Sequence, residues 1–154
     1  MVDAYDASLT LTAAADLSSA QNSYAAAAVG GYALFAGDTA DADVYDASLT
    51  KTTVSILSAA RQPDAVTAGG YAFFAGGDES STVDAYDASL TRTSAAALSR
   101  MRTRMGCTVL GSRALFAGGG QGGLTTGGAF TTVDVYDEAL TRTAGTPLPP
   151  GPSV

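Results

Sequence analysis

The chain has no histidine and no tryptophan among its 154 residues, and it has one cysteine, Cys107. Histidine is the commonest general base and a frequent metal ligand, so its absence argues against most acid–base and metal-dependent catalysis. A lone cysteine cannot form an intrachain disulfide. Because no histidine is present to activate Cys107, we interpret it as a small core residue and not as a nucleophile. We therefore expect a protein without a cofactor.

Basic residues are also scarce, since 8 Lys and Arg face 15 Asp and Glu, and the formal net charge is −7. A nucleic-acid partner needs clustered basic residues that displace counterions, so we expect none. We expect no membrane span either, because Gly or Asp interrupts every apolar run well before about 18 residues. No basic and then apolar leader opens the sequence. The default expectation is a cytoplasmic protein, although a phage particle or export without a leader would leave the same marks.

What the chain does contain is one short motif written four times. It first runs from Val2 to Thr10 as VDAYDASLT, and its tyrosines recur 40, 41 and 50 residues apart at Tyr5, Tyr45, Tyr86 and Tyr136. Twelve residues after each tyrosine comes a leucine: Leu17, Leu57, Leu98 and Leu148. The chain is therefore a repeat protein with a period of about 40 residues.

Each repeat predicts four β-strands. Val2 to Tyr5 and its copies alternate in polarity, and the following Asp-Ala-Ser-Leu predicts a tight turn whose Asp accepts hydrogen bonds from free amides. Gly30-Gly31, Gly69-Gly70 and Gly111-Ser112 each stand between two apolar runs, as a two-residue hairpin turn requires. The alanine runs at 25–28 and 95–97 are interpreted as strands, because Val66, Thr67, Thr108 and Val109 occupy corresponding places in other copies. The predicted fold class is all-β.

These residues resemble the kelch repeat, which forms one blade of a β-propeller. The resemblance rests on YAFFAGG at 71–77, VDAYD at 83–87, and Leu98 followed four residues later by Arg102. The sequence departs from the family pattern where Thr-x-Thr replaces the usual Trp and where Asp38 replaces a second Gly. The sequence also resembles kelch-like arrays of bacterial and phage proteins. The resemblance implies blades of four antiparallel strands in a single repeat domain, 1–154, with repeats at about 10–46, 50–87 and 91–137 and spare strands at 2–6 and 141–148.

Three blades cannot close a propeller, which needs about four to eight. The end blades would then expose apolar faces and unpaired edges. We expect another chain to complete the ring, most economically as a homodimer with six blades around a two-fold axis. The alternative is that the sequence belongs to a longer array.

Candidate binding residues lie in the loops that follow Leu57 and Leu98, two of the leucines that come twelve residues after a tyrosine. Arg100, Arg102 and Arg104 have no charged counterparts in the first repeat, and Arg61 has one only in the third. In kelch propellers such loops lie at one face of the ring, near the central cavity, so the resemblance implies that these arginines bind an acidic group of a peptide or glycan. Solvated loop charges are the alternative. The Gly-rich run at 118–123 opens a segment of about ten extra residues, which is either a mobile loop or a recognition loop.

Paired aspartates such as Asp84 and Asp87 recur in every repeat, where they either bind a hard cation or serve the turn and the strand. We favour the second interpretation and expect no metal site. The sequence therefore predicts a protein that is not an enzyme: a kelch-like propeller scaffold that self-associates and binds a protein or carbohydrate partner through loops at one face. The alternatives are a purely structural blade module and a hydrolase or lyase that uses carboxylates and tyrosine.

Overall fold

The computed structural model describes residues 2–20, 24–121 and 129–150, and these residues form antiparallel β-sheets and no helix. The all-β fold class is therefore confirmed. The N-terminal hairpin consists of β1 (Val2–Tyr5) and β2 (Leu11–Ala14). The first sheet contains β3 (Ala25–Val29), β4 (Tyr32–Ala36), β5 (Asp41–Tyr45) and β6 (Lys51–Ser55); the second contains β7 (Asp64–Ala68), β8 (Tyr71–Ala75), β9 (Val83–Tyr86) and β10 (Arg92–Ser94); the third contains β11 (Gly106–Leu110), β12 (Arg113–Ala117), β13 (Val133–Tyr136) and β14 (Arg142–Ala144).

Two kinds of tight turn set the order of strands within each sheet. The predicted two-residue hairpins are confirmed, and Gly30 and Gly31 both have positive φ, 58° and 83°, as a type I′ turn needs. The second turn follows the tyrosine of each repeat. There the Asp46 carboxylate accepts hydrogen bonds from the backbone amides of Ser48 and Thr50. Both turns join strands that are neighbours in one sheet.

The grouping of strands differs from the predicted one. Strand β6 pairs with β5, and β14 pairs with β13, so the sheets span residues 25–55, 64–94 and 106–144 and not the predicted repeats. The reason is that the tight turn returns the chain antiparallel to the strand it has just left, whereas the longer segment after each fourth strand crosses to the next sheet. The predicted spare strand at 141–148 thus belongs to the third sheet, and the spare element at the start has two strands.

Successive sheets pack face to face. One hydrophobic cluster joins Leu34 and Val44 of the first sheet to Phe74 and Tyr86 of the second. A second cluster joins Phe73, Val83 and Ala85 of the second sheet to Phe116 and Tyr136 of the third. Because side chains alternate along a strand, each sheet presents its tyrosine to the sheet before it and its other face to the sheet after it. The first strands of the three sheets, β3, β7 and β11, lie side by side, and the Thr67 hydroxyl donates to the carbonyl of Ala28 over 2.7 Å.

The two alanine runs behave differently. Residues 25–28 lie in β3, as predicted, but the interpretation of residues 95–97 as a strand is wrong. Their backbone makes loop contacts, since the amide of Ala95 donates to the carbonyl of Val83 and that of Ala96 to the carbonyl of Leu140. Over the ranges that the structure describes, no helix with the length and hydropathy of a membrane span is present.

Candidate functional site

The segments that cross from one sheet to the next carry the predicted arginines, and Arg61 is the first of them. It is buried, and its Nη2 donates to Asp84 Oδ2 over 2.9 Å. Its Nε donates to the carbonyl of Gly76 over 2.9 Å, and Nη2 also donates to the carbonyl of Phe74 over 3.1 Å. The guanidinium therefore uses its donors on the carboxylate and on the end of strand β8.

Arg102 repeats this arrangement one sheet further on. It is buried, and its Nη2 donates to Asp134 Oδ2 over 2.7 Å and to the carbonyl of Phe116 over 3.1 Å. Its Nη1 donates to the carbonyls of Gly118 and Thr132, both over 2.8 Å. The positions of Phe116 and Gly118 in the third sheet correspond to those of Phe74 and Gly76 in the second.

The aspartate at the centre of each arrangement has further partners. Asp84 Oδ2 accepts hydrogen bonds from the amide and the hydroxyl of Ser58, each over 2.9 Å, and Asp84 Oδ1 lies 3.3 Å from Nη1 of Arg92. Asp134 has the same partners in Ser99, Arg102 and Arg142. We call this set the carboxylate clasp: an Asp of the third strand of a sheet, a Ser and an Arg of the segment that enters that sheet, and an Arg of the fourth strand.

The clasp changes the interpretation of the arginine cluster. Arg61 and Arg102 are internal residues that fasten each crossing segment to the next sheet, so they do not join a ligand-binding surface. Arg100 and Arg104 are exposed. The guanidinium carbon of Arg100 lies 4.3 Å from the centroid of the Phe130 ring, a cation–π distance. The predicted grouping of four arginines is thus divided into two buried and two exposed residues.

The first sheet carries an incomplete clasp around Asp43. The carboxylate accepts hydrogen bonds from the Ser18 amide and hydroxyl, each over 2.6 Å, and from the Thr53 hydroxyl over 2.9 Å. Lys51 Nζ lies 3.8 Å away, where the other sheets have arginine. Burial raises the pKa of the Asp43 carboxyl, but the hydrogen bonds from Ser18 and Thr53 outweigh it, and the net pKa is lowered. A cavity of about 220 Å³ lies beside this carboxylate.

The other predicted candidates take structural roles in the described residues. Asp87, in the turn, accepts hydrogen bonds from Ser89 and Thr91. Asp84 instead belongs to a clasp, so the two aspartates of the pair have different structural roles. Burial raises the pKa of the Cys107 thiol to about 12, and Cys107 pairs with Phe116 as Ala65 pairs with Phe74. A thiol with so high a pKa is a poor nucleophile near neutral pH.

The Gly-rich segment is described only in part. The amide of Gly120 donates to the carbonyl of Thr103 over 3.1 Å, and Gly120 forms a β-bridge with Ala129. Residues 122–128, which include most of the predicted recognition loop, lie outside the described residues.

Sequence reasoning missed the partners of the arginines. The signal was present in the spacing: an Arg four residues after the leucine and an Arg six residues after the tyrosine occur in the segments that meet Asp84 and Asp134. Comparison with known proteins adds no assignment, since no protein-family model and no curated protein matches the chain.

Proposed function

We propose that the chain is a non-catalytic scaffold of kelch-like propeller blades, which completes its ring with a second copy of itself and binds a partner through loops at one edge of the sheets. The observation that carries this proposal is the contrast between repeat-equivalent residues. Those that lie between two sheets are buried, and those at the two ends of the stack are exposed.

The tyrosine of the motif gives this contrast at the N-terminal end. Tyr45, Tyr86 and Tyr136 are only 3%, 2% and 0% exposed, whereas Tyr5 of the N-terminal hairpin is 63% exposed. Tyr136 packs against Phe73 of the preceding sheet, with ring centroids 5.8 Å apart. Tyr5 has the same place in its motif, so it would present the same ring to a sheet that came before it.

The leucine after the fourth strand gives the contrast at the other end. Leu57 and Leu98 are each 4% exposed, whereas Leu148, at the equivalent position, is 43% exposed. Leu110, which faces away from the second sheet, is 69% exposed, whereas its equivalents Val29 and Ala68 are 7% and 5% exposed. In the interior of the stack this kind of face packs against the tyrosine face of the next sheet. The two exposed ends are therefore of complementary kinds, which supports association between copies.

Sedimentation analysis of the purified chain tests the ring. We expect a particle of twice the 15.3 kDa chain mass, and we expect Leu148→Glu to convert it to monomer because a carboxylate would be buried at the joint. Ala47→Glu is the matched control. It adds the same charge at an exposed turn position where the last copy of the motif naturally has Glu138. A monomeric wild-type protein, or a Leu148→Glu dimer as stable as the Ala47→Glu dimer, contradicts the proposal.

Partner binding through the loops now depends on Arg100 and Arg104. Both are exposed in the segment that crosses to the third sheet, and Phe130 supports the first of them. We expect the double Arg100→Ala, Arg104→Ala variant to lose capture on an array of acidic peptides and glycans, while Arg113→Ala retains it. Arg113 is also exposed, but it begins strand β12 and pairs with Leu110, at the end of β11 far from Arg100 and Arg104. Equal capture by both variants would contradict a role for this edge.

A further inference from the structure

The cavity beside Asp43 is the feature from which the inference starts. It has a volume of about 220 Å³, well above the ~15 Å³ that a single water needs. Its walls include the side chains or backbone of Ser18, Tyr24, Phe35, Asp41, Asp43 and Thr53. Asp43 itself is buried, so the cavity places a carboxylate in a partly desolvated site.

The other two sheets show what occupies the equivalent space. In the second sheet the Arg61 guanidinium lies between the Asp84 carboxylate and the carbonyls of Phe74 and Gly76. In the third sheet the Arg102 guanidinium lies between the equivalent groups. The first sheet has the same frame, because Phe35 pairs with Asp43 as Phe74 pairs with Asp84.

The sequence supplies no arginine to this frame. Arg61 follows Leu57 by four residues, and the residue that follows Leu17 by four is Gln21, which lies outside the described residues. Lys51 does not replace the guanidinium, because its Nζ donates to the carbonyl of Asp16 over 2.6 Å and to the Ser18 hydroxyl over 3.0 Å. Among the described residues, Asp43 therefore has one cation, at 3.8 Å, where Asp84 has two, at 2.9 and 3.3 Å.

We infer that this cavity is a receptor for a guanidinium group supplied from outside the chain, either by an arginine side chain of a protein partner or by a small guanidino compound. By strand register, the frame places the Phe35 backbone beside the Asp43 carboxylate, as the Phe74 carbonyl and the Asp84 carboxylate lie together around the Arg61 guanidinium. A guanidinium has five donors in a fixed plane and matches such acceptors, whereas an ammonium is a compact point charge. The site would thus prefer arginine to lysine. The inference concerns one sheet of a single chain and does not depend on how the ring is completed.

Calorimetric titration of the full chain with N-acetyl-arginine amide tests the inference. We expect saturable binding to one site per chain, and binding of N-acetyl-lysine amide that is weaker by about tenfold or more, as the loss of charge-assisted hydrogen bonds implies. Absence of saturable binding by the arginine compound, or equal binding of the lysine compound, would overturn the assignment.

Two variants locate the site. Asp43→Asn removes the charge, and Gln21→Arg introduces the residue that the other repeats have at this place; each is expected to abolish binding, and Gln21→Arg is also expected to raise the melting temperature. Asp3→Asn is the matched control, since Asp3 is the exposed equivalent in the N-terminal hairpin, and it should leave binding unchanged. If Asp43→Asn does not fold, Gln21→Arg still decides the matter: undiminished binding by that folded variant refutes the site.

The source of the guanidinium is distinguished by a second comparison on the wild-type chain. Glycine-flanked arginine peptides that bind about tenfold more tightly than N-acetyl-arginine amide would indicate a protein partner, because flanking backbone would then contribute contacts. Agmatine that binds as tightly as the peptides or more so would indicate a small guanidino compound. Both results require that Asp43→Asn or Gln21→Arg weakens the binding, and if neither does, the receptor is refuted.

Discussion

Removal of the Asp84 carboxylate tests the role of the clasp, and we expect Asp84→Ala to cost about 3–5 kcal/mol of the free energy of unfolding. Asp84 is 0% and Arg61 2% exposed, and the ion pair between them is 2.9 Å long. Without the carboxylate, Arg61 remains a buried cation that is bound only to carbonyls. Those carbonyls still accept hydrogen bonds from the Arg61 guanidinium and so replace part of its lost hydration; we therefore expect a cost at the lower end of the range. Arg92 adds little, about 1 kcal/mol at most, because its side chain is 42% exposed.

The four copies of the motif supply a graded series for this experiment. Asp3→Ala, at the exposed copy, is expected to change stability by no more than about 0.5 kcal/mol. Asp43→Ala removes hydrogen bonds from Ser18 and Thr53 and a weak contact with Lys51, and about 1–3 kcal/mol is expected. Asp134→Ala should resemble Asp84→Ala.

Urea unfolding followed by circular dichroism measures this series. Amide hydrogen exchange in β9 shows whether the loss is confined to the second sheet, because repeat proteins can open locally. If Asp84→Ala and Asp3→Ala differ by less than about 1 kcal/mol, an amount within ordinary surface effects, the claim that the buried pair fastens the sheets is wrong.

Two further predictions concern turns. Gly77→Ala should destabilise the protein by about 1–3 kcal/mol more than Gly70→Ala. Both glycines have φ above 80°, but a methyl group at Gly77 would clash with the Gln62 carbonyl oxygen, whereas one at Gly70 would meet open space. Equal melting temperatures for the two variants would argue against that clash. Hydrogen bonds from Ser89, first of all from its side chain, lower the pKa of Asp87, so this contribution to stability is present above the unfolded pKa of about 3.9 and is lost as the pH falls through the lower folded pKa. Carbon-13 NMR titration should find the Asp87 pKa raised in Ser89→Ala, a change that reproduces the turn with Ala139 in the last copy, and an unmoved pKa would contradict the assignment.

Local chemistry explains which parts of the fold could be predicted. The Gly30-Gly31 turn and the Asp46 turn are determined by residues within five positions of each other, so their sequence patterns predict them well. The grouping of strands into sheets was predicted incorrectly because a repeating sequence pattern does not show which of its strands is the first strand of a sheet. Only the lengths of the connections decide where a sheet starts: a tight turn keeps β5 and β6 together, and the longer segment after Ser55 changes sheets.

Partners far apart in sequence explain what could not be predicted at the candidate site. Arg61 meets a carboxylate 23 residues away, and Arg102 meets one 32 residues away. An arginine in a loop looks like a ligand-binding residue until a buried acid is found opposite it. In contrast, Arg100 and Arg104 occur in the same five-residue run as Arg102 and remain exposed. Neighbouring arginines thus have opposite roles, and the sequence pattern alone does not separate them.

The clasp also adds a candidate site whose polarity is opposite to that of the exposed arginines. A cluster of arginines predicts an acidic ligand, but two of the four guanidinium groups are already bound to acids of the chain itself. Among the buried aspartates Asp43, Asp84 and Asp134 of the described residues, Asp43 is the one without an arginine partner, and its sheet is the one whose entering segment has Gln21 in place of arginine. The proposed receptor lies in an acidic protein of net charge −7, whose field attracts cations before contact, so long-range electrostatics favour the basic partner that the proposal implies. Higher ionic strength should therefore slow the association of an arginine peptide more than it speeds its release.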